Sequence, residues 1–371
     1  MNKSKLNPIQ MMTLISAGIL GVDILTVQRR MVEKAGRDAW ISLLLGGLLT
    51  LISGTLSYLL SVQYPGKDLP EILIEIGGRF LGRIFLAAVA AYILLYLGVS
   101  IRVFTQALLI FLLDRTPIFV LILFISLVTG YAVFKDLDTI GKVVDILFPI
   151  TMLTVFFIML LALPQSNPIR LRPVLYHNTS DTLKAVLPGY QRFTGASLIL
   201  YFMKHVRRSR GTFLWYLAGL VIPIVSYAAL TLISIMVFGT RETITQAYPT
   251  LTLIKSIQFP SVFLERLESL AAVFWIGLVF NASTLFYYAS LRNTIILFSI
   301  PEKYKTYIIW GHIALLMAIG LSKGQVWKAM ERFDSARLLQ SLITLVLFPL
   351  LLGFTLLKKR RRITKSHEST K

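Results

Sequence analysis

The chain has 371 residues, of which 56% are hydrophobic, and its formal net charge is +20. Soluble proteins usually contain about 45–50% apolar residues, so this composition excludes a soluble protein and indicates one embedded in a lipid bilayer. The sequence contains no cysteine, which excludes a disulfide framework, a cysteine-ligated zinc site and a thiol nucleophile.

Apolar stretches long enough to cross a bilayer recur along the whole chain. About twenty helical residues are needed to cross about 30 Å of hydrocarbon. The predicted spans are 9–28, 39–62, 84–112, 117–134, 140–163, 186–203, 212–238, 262–290, 305–322 and 337–357. The first lacks a small-residue cleavage site, so we interpret it as a retained span and not as a signal peptide. We expect one polytopic α-helical membrane domain over residues 1–371.

The positive charges lie mostly between the predicted spans. Since the number of spans is even, both termini are expected on one side, and the excess of Lys and Arg on that side predicts that it is cytoplasmic. The basic group 204–210 and the basic tail 358–371 belong to this side. They signal topology, or alternatively recruit anionic lipid or a partner protein. Nucleic acid is not an expected partner, because no aromatic and basic nucleic-acid module is visible.

Two of the spans are interrupted by helix-breaking residues. The first contains Gly18 and Gly21 in the sequence GILGVDILTVQ, and the sixth contains Pro188, Gly189 and Gly195 in LPGYQRFTGAS. Interrupted spans at matching positions of two halves are typical of an inverted repeat that binds its ligand at the breaks. The predicted repeats are 9–163 and 186–357. Alternatively, the glycines only permit close helix packing.

Asp23 and Arg102 are the ionisable residues that fall inside predicted spans one and three. Such residues are costly in a membrane, by about 3 kcal/mol on insertion scales, and indicate function by default. Asp23 could accept an ammonium group, a cation or a proton, and Arg102 could bind a carboxylate. Alternatively, the two side chains form a structural ion pair with each other.

Polar side chains at a similar depth could line a ligand site. They are Tyr96 and Ser100 in the third span, Thr194 and Ser197 in the sixth, and Asn281 and Ser283 in the eighth. Each of them could equally bond to a neighbouring helix or to its own backbone. These residues therefore predict a ligand site only when they are taken together.

The sequence gives no indication of catalysis. Glu265 and Glu268 lie three positions apart, but an ion-paired helix entry beside Arg266 explains them better than acid–base chemistry does. The histidines have no metal-ligand spacing, and no nucleotide-binding or nucleophile motif is present. We expect neither an enzyme nor a bound cofactor or metal.

Several segments together resemble a known family. They are residues 1–40, with a polar leader, the run Gly18–Thr26 and EKAGRDAW; LLDRTP at 112–117; LRPVL at 171–175; and LERLESL at 264–270 followed by Trp275. In combination they resemble the B subunits of spore germinant receptors, the GerAB/GerKB family. The resemblance extends from the leader to the basic C-terminal end.

The resemblance implies a LeuT-like fold of the amino acid–polyamine–organocation superfamily, located in the inner membrane of a bacterial endospore. It implies a subunit that recognises a nutrient germinant such as an amino acid, a sugar or a nucleoside. The implied partners are an A-type membrane subunit and a C-type lipoprotein subunit. Together with the polar residues above, it gives the candidate ligand-binding residues Gly21, Asp23, Leu25, Tyr96, Ser100, Arg102, Thr194, Gly195, Ser197 and Asn281.

The chain departs from the family pattern at the proposed pocket. It has Val27-Gln28-Arg29 where an LPR-like sequence is usual, and Asp23 where a small residue is usual. Some relatives carry acidic residues at the positions of Ser100 and Ser197. Either the carboxylate of the pocket has moved to Asp23, or the ligand differs.

Three functional hypotheses follow from these patterns. In the first, the chain is a receptor subunit whose conformational preference changes when a ligand binds. In the second, it is a proton- or cation-coupled amino acid transporter that uses Asp23. In the third, it is a scaffold that binds no small molecule. Fold alone does not decide between them.

Overall fold

The computed structural model describes residues 6–175, 179–256, 267–322, 334 and 337–368. Regular structure in these ranges is helical, apart from one isolated backbone bridge between Leu6 and Val206. The helices are α1 (Pro8–Ile19), α2 (Val27–Ala35), α3 (Ala39–Gln63), α4 (Leu69–Phe111), α5 (Ile118–Phe134), α6 (Leu137–Ala162), α7 (Thr179–Lys184), α8 (Val186–Tyr190), α9 (Ile199–Phe202), α10 (Thr212–Thr245), α11 (Pro249–Ser256), α12 (Leu267–Leu297), α13 (Lys305–Gly320) and α14 (Phe348–Glu368).

The described helices have the length and polarity of a membrane bundle. Five helical stretches in the described ranges are long and apolar enough to cross a bilayer. They are Val27–Gln63, Leu69–Phe111, Leu137–Gln165, Thr212–Thr245 and Arg337–Lys359. Large apolar side chains such as Phe124 and Leu350 point away from the bundle, at 63% and 64% exposure. Such surfaces require lipid around them, so the chain is an integral membrane protein.

Two helices extend beyond the predicted spans. Helix α4 begins at Leu69, where Asp68 and Glu71 form a capping box, and it bends at Gly78, whose φ is 68°. Helix α10 continues past Gly239, whose φ is 78°, to Thr245. The apolar pattern ends where charged residues begin, whereas the helical backbone continues into the interface. Hydropathy therefore located the membrane part of each helix but not its end.

The first and sixth spans are both broken, as predicted. In the first, α1 ends at Ile19, a 3₁₀ turn covers Val22–Leu25, and α2 begins at Val27. In the sixth, a 3₁₀ segment over Gln191–Leu198 separates α8 from α9. These breaks are buried in the bundle, where non-helical backbone is tolerated because protein can satisfy its polar groups.

The two breaks lie directly against each other. A Cβ atom added at Gly195 would lie 2.6 Å from the carbonyl carbon of Gly18. Only glycine therefore permits this backbone contact without a shift of one segment. Side chains of neighbouring helices donate hydrogen bonds to the freed backbone carbonyls. Tyr227 donates to the carbonyl of Ile19 at 2.8 Å, and Thr250 donates to that of Ile24 at 2.6 Å.

Candidate functional site

Asp23 lies at the break of the first span, in the 3₁₀ turn Val22–Leu25. Its side chain is buried, at 3% exposure. The Nη2 atom of Arg337 donates to both carboxylate oxygens, at 2.8 and 2.9 Å. The Nη1 atom of Arg192, from the break of the sixth span, lies 3.5 Å from Oδ1. Asp23 thus joins both breaks to the beginning of the last span.

A second carboxylate continues this arrangement. Asp334 Oδ1 lies 3.2 Å from Arg192 Nη2 and 3.4 Å from Arg337 Nη1. Its other oxygen lies 3.9 Å from Nη1 of Arg30, in α2. We call Asp23, Arg30, Arg192, Asp334 and Arg337 the charge network. It contains three guanidinium groups and two carboxylates.

The charge network surrounds a small cavity of about 20 Å³, which is room for about one water molecule. Its walls come from the broken first span, from α4, from the broken sixth span and from the last span. The lining residues are Val22, Asp23, Thr26, Arg30, Val99, Ser100, Val103, Arg192, Asp334 and Arg337. In this conformation the cavity is too small for an amino acid, and we therefore call it the closed cavity.

Of the residues predicted from sequence, Asp23 and Ser100 line this cavity. The ring of Tyr96 packs on Phe286, with centroids 4.4 Å apart. Thr194 donates to the backbone oxygen of Gln191 and contacts the side chain of Gln340 at 3.2 Å. These residues are therefore close to the breaks.

Three other predicted residues occupy different surroundings. Ser197 donates to the backbone oxygen of Thr194 at 3.2 Å, the local bonding that was the alternative interpretation. Leu25 lines a separate apolar cavity with Trp275. Gly21 faces α12, where a Cβ added to it would lie 2.9 Å from the Cβ of Ala282.

The pairing of Asp23 with Arg102, which was one of two alternatives, does not occur in the structure. Arg102 donates instead to the backbone oxygen of Gly320 at 3.0 Å. The helical period explains why Arg102 does not reach Asp23. Ser100 and Val103 face the cavity. Gly98 and Arg102 lie on another face of α4, and that face packs on α13. Arg337 and Arg192 are the true partners of Asp23.

Sequence reasoning missed Arg30, Asp334 and Arg337. Arg30 resembled an ordinary loop charge, and Arg337 was merely the first residue of a predicted span. One signal was available, since Asp334 and Arg337 are three positions apart in ERFDSAR, a spacing that places both on one helix face.

Asn281 in α12 presents unsatisfied polar atoms beside the first break. Its side chain is 0% exposed, and among the described residues neither its Oδ1 nor its Nδ2 has a hydrogen-bond partner. The adjacent residue, Ala282, packs on Gly21. A buried amide without partners costs about 1–3 kcal/mol, so a bound molecule at this position would remove a penalty.

A second group of charges lies at the other end of the bundle. Asp68, at the start of α4, contacts Lys204 Nζ at 2.6 Å and Arg292 Nε at 2.7 Å. Burial alone would raise the pKa of the Asp68 carboxyl, but the charges of Arg292 and Lys204 outweigh it and lower this pKa below its usual value. These contacts join α4, the end of the sixth span and α12.

Within the described part of the chain, no three His, Asp or Glu side chains cluster as metal ligands. The predicted helix entry at Glu265 and Arg266 lies outside the described residues, as do His177 and the side chain of Glu268. Among the described residues, buried ionisable groups are concentrated in the charge network and in the group around Asp68.

Comparison with known proteins gives consistent matches. A family model described as spore germination protein matches residues 5–325. Spore germination protein A2 of Bacillus subtilis is 26% identical, with 97% of this chain and 98% of that protein covered. Spore germination protein KB of the same organism is 26% identical, with 100% of both chains covered. YndE, also a spore germination protein of B. subtilis, is 28% identical over 77% of this chain and 79% of its own.

A solved structure shares the fold. It is Mhp1, a nucleobase-cation-symport-1 family transporter, in a closed conformation with bromovinylhydantoin bound. The TM-score is 0.71 at 14% sequence identity, and the match covers 98% of this chain and 82% of that chain. The predicted fold class, an all-α membrane protein of LeuT-like architecture with broken first and sixth helices, is confirmed.

Proposed function

Because the chain belongs to the spore germination protein family, we propose that it is the germinant-sensing membrane subunit of a spore germinant receptor. It binds a small polar molecule, such as an amino acid, at the breaks of the first and sixth spans, and this binding triggers germination. The observation that carries the proposal is the charge network, which holds both breaks and the last span around one closed cavity.

The closed cavity suggests how binding is converted into a signal. A molecule larger than water enters only if the contacts of Asp23 with Arg192 and Arg337 separate. The ligand therefore binds one conformation better than the other, and it shifts the equilibrium by its differential affinity. In our proposal the repeats 9–163 and 186–357 move relative to each other during this transition.

The proposed setting is the inner membrane of the spore, with both termini in the cytoplasm. The partners are an A-type membrane subunit and a C-type lipoprotein subunit, which detect the open conformation. Support comes from two spore germination proteins that this chain matches over nearly their full length. Candidate ligand contacts are Asp23 and Ser100 in the cavity and Asn281 beside the first break.

A deletion strain tests this proposal. Spores lacking the chain, and lacking any second receptor with the same specificity, are exposed to a panel of amino acids, sugars and nucleosides. We expect at least one nutrient response to disappear and to return when the parent gene is restored. Unchanged responses to the whole panel would contradict the receptor function.

The alternative function is proton- or cation-coupled amino acid transport. The observation that favours it is the fold shared with Mhp1, a transporter. The test is uptake into proteoliposomes with an imposed ion gradient. Gradient-dependent flux that Asp23→Asn abolishes would support transport, whereas binding without sustained flux supports the receptor.

A further inference from the structure

We propose that the charge network is a carboxylate-binding subsite, in which the carboxylate of the ligand replaces Asp23 as the partner of Arg337 and Arg192. This inference rests on the proposed function and specifies the class of ligand. It selects molecules that carry a carboxylate and excludes sugars and nucleosides as ligands of this subunit.

The first argument is the balance of charge. Three guanidinium groups and two carboxylates line the cavity, and Asp23, Arg192 and Arg337 are each only 3% exposed. Guanidinium groups buried this deeply need carboxylate partners, because an unpaired buried charge is costly. A lone ammonium ion or metal cation could not serve as such a partner.

The second argument is the geometry around Asp23. Both of its oxygens accept from one guanidinium nitrogen of Arg337, and Oδ1 lies 3.5 Å from Nη1 of Arg192. Arginine binds carboxylate ligands through charge-assisted hydrogen bonds of this kind, and it presents its five N–H groups in a fixed plane. Asp23 therefore occupies the position that a ligand carboxylate would take.

The third argument is the supply of hydrogen-bond donors. The Nε atom of Arg192 is buried and has no hydrogen-bond partner among the described residues. A carboxylate that displaced Asp23 could accept from Arg337 and from this additional donor. The released Asp23 carboxylate would then be available to an ammonium group of the same ligand, so an amino acid zwitterion fits the exchange without a change in net charge.

The exchange also explains the size of the cavity. At about 20 Å³ it cannot hold a carboxylate and the Asp23 side chain in their present positions. Binding must move Asp23 away from Arg337, which separates the first span from the last. Carboxylate recognition and opening of the site are thus one step.

The test uses the purified full-length chain in lipid nanodiscs, with acetate as the carboxylate probe and acetamide as its uncharged isostere. Thermal unfolding is followed against the concentration of each probe at constant ionic strength. In Asp23→Ala the arginines lose the carboxylate of Asp23 and keep that of Asp334. We expect acetate to bind at the vacated position at least about tenfold more tightly than acetamide. The parent chain, where acetate must displace Asp23, should bind it more weakly.

A second substitution removes the proposed donor. In Asp23→Ala/Arg337→Gln the preference for acetate should disappear. If Asp23→Ala folds only in the presence of acetate, that rescue supports the proposal. Asp23→Asn preserves the side-chain shape and should show the same preference. Equal effects of acetate and acetamide on both Asp23 variants, or a stronger effect of ethylammonium, would overturn the carboxylate subsite.

Failure of the carboxylate subsite and failure of the receptor function give different results. Acetate binding is measured on the purified chain without spores, so its absence contradicts only the carboxylate subsite. Unchanged germination of the deletion strain contradicts only the receptor. If the response lost in that strain is to a sugar or a nucleoside alone, the receptor function stands and the carboxylate subsite is wrong.

Discussion

The carboxylate of Asp23 and the guanidinium of Arg337 are separated by 314 positions in the chain, yet they are joined by hydrogen bonds of 2.8 and 2.9 Å in the bundle interior. Asp23 belongs to the break of the first span and Arg337 to the beginning of the last. One buried ion pair thus connects the two ends of the membrane domain at the candidate site.

We expect this pair to contribute strongly to stability. Removing one partner leaves a buried charge and costs about 3–5 kcal/mol. In a double-mutant cycle with Asp23→Ala and Arg337→Ala, the interaction energy should reach about 2 kcal/mol. The measurement is denaturant unfolding of the full chain in detergent micelles.

Arg102 provides the matched control for this cycle. It bonds to Gly320 and not to Asp23, so Asp23→Ala and Arg102→Ala should add within about 0.5 kcal/mol. Coupling of Asp23 to Arg102 as strong as its coupling to Arg337 would contradict the described network.

Because the two breaks are in contact, we expect alanine at Gly195 to destabilise the chain more than alanine at Gly311. At Gly195 a new Cβ would lie 2.6 Å from the backbone of Gly18, whereas at Gly311 in α13 it would meet nothing within 4 Å. We expect Gly195→Ala to cost about 1–3 kcal/mol and Gly311→Ala to be neutral or slightly stabilising. Thermal unfolding of the two variants side by side measures the difference. Equal tolerance at both positions would mean that the breaks are not in contact.

We expect the Asp68 carboxyl to make the stability of the folded chain depend on pH. Because Arg292 and Lys204 lower its pKa in the folded chain, Asp68 binds protons more weakly when folded than when unfolded. Its contribution to stability is therefore present at neutral pH and is lost as the pH falls below about 4, the ordinary range of an aspartate.

The measurement is the unfolding temperature between pH 7 and pH 3 for the parent and Asp68→Asn. The parent should be more stable at pH 7, and the difference should shrink toward pH 3. Asp114→Asn, at an exposed loop position, is the control and should follow the parent. A difference that stays constant with pH would contradict the role of the Asp68 charge.

The absence of native cysteine allows a direct test of membrane orientation. Ser209 follows the sixth span and Gln165 follows the fifth, and both lie outside the membrane-length helices or at their ends. We expect Ser209→Cys to react with a membrane-impermeant maleimide only from the cytoplasmic side, and Gln165→Cys only from the opposite side. Labelling of both from one side would contradict the proposed topology.

Hydropathy and helix-breaking residues predicted a membrane bundle with two interrupted spans, and the family resemblance added the LeuT-like fold class. The breaks at Gly18–Gly21 and around Gly195 were visible because glycine and proline interrupt otherwise apolar runs. The structure places both interruptions together. These signals are local in the sequence, since each depends on the composition of one segment.

The partners of Asp23 could not be predicted in the same way. Arg102 was chosen because it lies within a predicted span, but its helix face packs on α13. Arg337 and Arg30 are at span ends, where basic residues are common for reasons of topology. Choosing the correct arginine requires knowing the rotation of each helix and which spans are neighbours, and neither follows from hydropathy.

The most direct test of the proposed sensing site is the germinant dose response of spores that carry substitutions in it. Ser100→Ala alters a side chain at the cavity, and Asn281→Ala alters one beside the first break. Arg102→Ala is the control. Immunoblotting verifies that the variants are equally abundant in the spore membrane. We predict that the half-maximal germinant concentration rises by about tenfold in the combined Ser100→Ala/Asn281→Ala variant. This increase corresponds to a loss of about 1.4 kcal/mol of binding free energy. The half-maximal concentration should stay unchanged in Arg102→Ala. An unchanged dose response in the combined variant would contradict a germinant site at the breaks of the first and sixth spans.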